Sequence, residues 1–99
     1  MITKDQRFRF EQQGYIVLEK ILSESVLAWL QSRCDEAVDW KASGMLSSGI
    51  EEEGINLLGK RYFISGFRKQ NAELDRFLFG DVMAEISSGL LGETVYLHN

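Results

Sequence analysis

A chain of 99 residues, 44% hydrophobic and 26% charged, has the make-up of one globular domain or part of one and is too apolar for a disordered chain. A net charge of −4 without a basic run argues against electrostatic capture of nucleic acid or of an anionic membrane. Cys34 is the single cysteine, which excludes an intrachain disulfide. The charged start MITKDQRFRFEQQ does not read as a secretory signal and no apolar run reaches membrane-spanning length, so a cytoplasmic protein is expected.

In chain order, Thr3 and Gln6 stand at capping-box spacing and predict a helix over about Lys4 to Gln13, stopped by Gly14. Tyr15 to Leu18, four apolar residues after that glycine, predict a short buried strand. Ser23 then caps a long helix on which Val26, Leu27, Leu30, Cys34, Ala37 and Val38 share an arc of roughly 120°. Trp29 and Trp40 flank that stripe, and the helix is expected to end before Gly44.

Residues 44–60 carry glycines at 44, 49, 54 and 59 with no side-chain pattern, and are expected to be a loop. RYFISGF, residues 61–67, has strand propensity. Asn71 caps a helix carrying Leu74, Phe77 and Leu78, and Asp81 is expected to cap another carrying Met83, Ile86 and Leu90. Gly92 ends it, and TVYLHN, residues 94–99, alternates as a strand with Val95 and Leu97 on one face and Tyr96 and His98 on the other.

No catalytic constellation is readable from these residues alone. Gly54 to Arg61, GINLLGKR, approaches the phosphate-binding pattern G-x-x-x-x-G-K-[ST], but Arg61 replaces the metal-binding hydroxyl and strand-like sequence follows where a helix should begin. Glu51, Glu52 and Glu53 are consecutive, so their side chains splay apart, and a solvated acidic loop is expected rather than a cation site. Cys34, on the apolar arc without a neighbouring base, is expected to be a buried structural thiol. The two tryptophans are expected in a core or an interface. Arg68 and Lys69 fit a solvated turn. His98, the sole histidine, cannot by itself make a zinc or non-haem iron site and is expected to be a strand residue.

Two stretches resemble a known family. FEQQGYIVLEKILSESVLAWLQ, Phe10 to Gln31, is similar to the opening of the phytanoyl-CoA dioxygenase family, with Phe10, Gly14, Tyr15, Val17 and Leu18 at the matching places. LDRFLFGDVMAEISSGLLGETVYLHN looks like that family's paired helices, closed by Leu91 and Gly92 before the first long strand of its barrel. The resemblance implies an α+β chain, the mainly helical N-terminal part of a double-stranded β-helix (jelly-roll) oxygenase. On that basis residues 1–99 form a single partial domain whose barrel begins at about residue 93.

The resemblance further implies Fe(II) and 2-oxoglutarate as cofactors of the intact enzyme and hydroxylation of a small-molecule substrate. The iron ligands of the family, a His-x-Asp pair and a distant His, would all fall after Asn99, as would the residues gripping 2-oxoglutarate. His98 does not match the metal-binding His. The 99 residues are therefore expected to be a fragment inactive by itself, with Tyr96, His98 and Asn99 as candidate barrel-facing residues. Self-association through exposed apolar surface is a further expectation, with no nucleic-acid or membrane partner. The alternative is a complete small α+β interaction module without catalysis, which uses its Trp-lined helix to dimerise or bind a partner.

Overall fold

The computed structural model describes residues 1–97; the strand expectation for His98 and Asn99 lies outside them. The described chain is mixed helix with a little sheet, an α+β composition in two compact units. One unit combines residues 1–21 with the chain from Asn71 onward, and the other is Leu22–Gln70.

In the first unit, α1 (Lys4–Gln13) begins with the expected capping box. The Gln6 amide donates to Thr3 Oγ1 at 3.1 Å, and the Thr3 amide donates to Gln6 Oε1 at 2.9 Å. Gly14, at φ 82°, ends the helix with its amide donating to the Phe10 carbonyl. Asn71 caps α3 (Ala72–Leu78), its Oδ1 accepting the Leu74 amide at 3.0 Å. The next helix, α4 (Asp81–Leu91), packs against α1 and ends at Gly92. The expected Asp81 cap is corrected: Gly80 holds the cap position without a side-chain hydrogen bond, and Asp81 is the first helical residue. There its carboxylate faces the positive end of the helix dipole.

The strand expectations in this unit are also corrected. Tyr15–Leu18 and Thr94–Leu97 form no ladder, and Tyr15 and Val17 are 63% and 72% exposed rather than buried. Strand propensity is realised only where a neighbour supplies the pairing, and among the described residues no strand pairs with either one.

In the second unit, α2 (Glu24–Ser47) starts at Ser23, whose Oγ accepts the Val26 amide at 3.2 Å. It does not stop before Gly44 but runs through it to Ser47. The glycine that ends it is Gly49, at φ 67°, whose amide donates to the Leu46 carbonyl while the Ile50 amide donates to Met45. This pair of bonds is the Schellman closure, and it needs the left-handed conformation at Gly49.

Beyond the helix, β1 (Glu52–Glu53) and β2 (Asn56–Leu57) form an antiparallel ribbon in which Glu52 opposes Leu57 and Glu53 opposes Asn56. The expected loop thus contains a turn of helix and a hairpin. The expected strand at 61–67 reduces to one bridge between Leu57 and Arg61, followed by a 3-10 helix at Phe67–Gln70. Met45 is the fully buried apolar side chain of this unit, 2% exposed.

The α2 apolar arc also differs from expectation. Val26, Trp29, Leu30, Arg33 and Ala37 are half-buried, while Leu27, Cys34 and Val38 are exposed. The covered face is turned towards the Trp29 ring, over which the Arg33 guanidinium lies 6.0 Å from the centroid. The indole and the Arg33 stem supply more coverable area than the smaller Cys34.

Candidate functional site

Within the second unit, α2 and the ribbon enclose a concavity of about 270 Å³ lined by Trp40, Lys41, Gly44, Met45 and Glu53. Lys41 Nζ donates to Glu53 Oε1 at 2.6 Å and ties the helix to β1. The Trp40 ring packs at 5.8 Å and 47° from the ring of Phe67. Of the acidic run, Glu53 therefore has a structural partner. The run does not converge: among the described residues, no three His, Cys, Asp or Glu side chains come together to hold a metal ion. Nothing local in the sequence links Lys41 to Glu53, which meet only because the Gly49 closure reverses the chain between them.

The amides of the phosphate-like stretch already have acceptors within it or close beside it. Leu57 donates to Arg61, Leu58 to Glu51, and both Lys60 and Arg61 to Leu57. The Gly59 amide donates to the Tyr62 hydroxyl at 2.5 Å. Arg61 Nε donates to the Ile55 carbonyl at 2.6 Å. A phosphate cradle requires free amides converging on one point at a helix start. Here five successive amides already have acceptors, and no helix starts directly after them.

Asn56 organises the same knot from inside. It is 7% exposed, and its Oδ1 accepts the Phe63 amide. Arg68 and Lys69 sit in the 3-10 helix, where Lys69 is exposed but Arg68 is half-buried rather than fully solvated.

The first unit has an apolar groove of about 240 Å³ along α4, floored by Met83, Ser87 and Leu91 and flanked by Phe79, Val95 and Tyr96. Tyr96 is 89% exposed at its edge. The other two candidate barrel-facing residues, His98 and Asn99, lie outside the described residues. A second, more polar cleft of about 580 Å³ lies beside Arg9, Gln13, Tyr15 and Glu19, with Arg9 paired to Asp5 at 3.1 Å.

Cys34 is exposed, which corrects the expectation of a buried thiol. No helix among the described residues is long and apolar enough to cross a membrane. Comparison of the chain with protein-family profiles, with curated proteins and with solved structures finds no match in any of the three.

Proposed function

We propose that this chain is the N-terminal helical part of an Fe(II)- and 2-oxoglutarate-dependent oxygenase of the phytanoyl-CoA dioxygenase type, whose iron and co-substrate ligands lie in sequence beyond it. The observation that carries this reading is an order of elements: a short capped helix, a glycine stop, a Tyr-Ile-Val-Leu segment without regular structure and a long amphipathic helix. That order matches the opening residues of the family where the sequence resembles it.

Exposed surface supports the same direction. Among the exposed large apolar side chains are Tyr15, Val17, Phe79, Leu91 and Tyr96. Such faces are what a helical cap presents to the body it packs on. In this reading the 99 residues cap and support, and the jelly-roll that follows carries the hydroxylation of a small organic substrate.

The test is to read the coding DNA past codon 99. The reading expects a His-x-Asp pair and a later His, and an encoded protein that converts 2-oxoglutarate to succinate only with Fe(II). A stop codon directly after Asn99, with no His-x-Asp in any downstream frame, overturns it. Exposure of Trp40, Leu27 and Val38 on α2 favours a second reading, a self-contained interaction module. That reading requires the isolated 99 residues to unfold cooperatively and to form a defined oligomer.

A further inference from the structure

The concavity between α2 and the ribbon combines an apolar wall, Trp40 and Met45, with the Lys41–Glu53 pair and a helical glycine, Gly44. Glycine inside a helix is unfavourable relative to alanine. Nothing steric requires it here, since an added Cβ would meet nothing within 4 Å. What the missing side chain provides is room in the concavity, one helical turn from Trp40. The Phe67 ring packs 5.8 Å from the Trp40 ring, yet Trp40 stays 43% exposed. At the polar end, Lys41 Nζ gives one N–H to Glu53 Oε1 at 2.6 Å. Among the described residues, its other two N–H groups have no acceptor and Glu53 Oε2 has no donor. The pair is neutral as a whole but keeps a spare donor beside a spare acceptor.

We propose that this concavity binds a neutral, single-ring aromatic carboxamide. Its ring lies over Gly44 against Trp40 and Met45, its carbonyl accepts from Lys41 Nζ, and its N–H donates to Glu53 Oε2. A carboxamide offers an acceptor and a donor side by side and so completes both halves of the pair. An anion in the same place would face Glu53 and a cation would face Lys41, each a like charge. A volume of about 270 Å³ lies just below the roughly 300–1,000 Å³ of drug-sized sites, which suits one ring rather than a fused ligand. The site lies wholly within the second unit. It depends on neither reading of the whole chain.

Benzamide, benzoate and benzamidine share one shape and differ in charge, so titrating each into the isotope-labelled 99-residue protein tests the assignment. Benzamide should shift the NMR signals of the Gly44 amide and the Trp40 indole N–H saturably, with a Kd on the order of 1 mM, as suits so small a ligand. Benzoate and benzamidine should bind at least about tenfold more weakly. Lys41→Met should move the preference to benzamidine and Glu53→Gln to benzoate, because each leaves one charge uncompensated. Gly44→Leu, at an open helical position, should abolish the shifts with the far-UV spectrum unchanged. No saturable shift with benzamide at about 10 mM overturns the proposal. So does equal binding of the three probes, an order of preference that the two charge variants leave unchanged, or undiminished binding to Gly44→Leu. No readout involves iron or co-substrate, so failure here leaves the oxygenase reading untouched.

Discussion

Ile2 lies so close over Gly89 that a Cβ on Gly89 would stand 2.7 Å from the Ile2 Cβ and Cγ1. The approach is to the root of the Ile2 side chain, so rotating χ angles does not relieve it. Gly89→Ala gains about 1 kcal/mol of helix propensity but forces a displacement of a kind that costs about 1–3 kcal/mol. The expected net effect is destabilisation of the first unit, read as a lower urea midpoint and faster exchange in α1 and α4.

Gly44 is the matched opposite. It lies inside α2 with nothing within 4 Å of an added Cβ. Gly44→Ala should therefore stabilise the second unit by about 0.5–1 kcal/mol. A loss of stability on denaturant unfolding would mean that the helix does not continue through this residue.

Asn56→Ala should open the ribbon knot. Removing a buried acceptor leaves the Phe63 amide without its partner, a penalty of about 1–3 kcal/mol. The expected signature is faster exchange at Phe63 with α1 exchange unchanged.

Met45→Ala should be the most damaging single change in the second unit, at about 2–5 kcal/mol, because Met45 is its fully buried apolar side chain. Lys41→Met, which breaks the exposed-partner ion pair with Glu53, should cost less than about 1 kcal/mol and matter less at high salt. Urea unfolding of the two variants side by side reads the contrast.

Nucleotide and inorganic phosphate should leave the thermal melt unchanged, since the amides of Leu57 to Arg61 already have acceptors. A rise in Tm with ligand concentration would restore phosphate binding at this stretch.

Where the sequence was legible, the interactions were local. Thr3 with Gln6, Ser23 with Val26 and Asn71 with Leu74 close across three residues, and each appears as its spacing predicts. Gly44 and Gly49 show where local reading fails. Both could end a helix, and only the chain's reversal onto the ribbon decides that Gly49 takes the left-handed conformation. Tyr15–Leu18 and Thr94–Leu97 carried strand propensity, but a ladder needs a neighbour that propensity does not specify. At the candidate sites, Cys34 sits on an apolar arc by periodicity, yet the larger Trp29 and Arg33 draw the covered face away from it. Arg61 and the strand-like sequence after it already counted against a phosphate loop. The capture of its amides within the knot could be seen only once Leu58 was placed beside Glu51.

The ribbon knot also bears on the order of folding. Its cross-links are short-range: Phe63 to Asn56 spans seven positions and Arg61 to Ile55 six. Closing loops of this length takes tens of nanoseconds and little chain entropy, whereas the Lys41–Glu53 contact spans twelve. The knot is therefore positioned to assemble early and to offer α2 a preformed surface on which Met45 can come to rest.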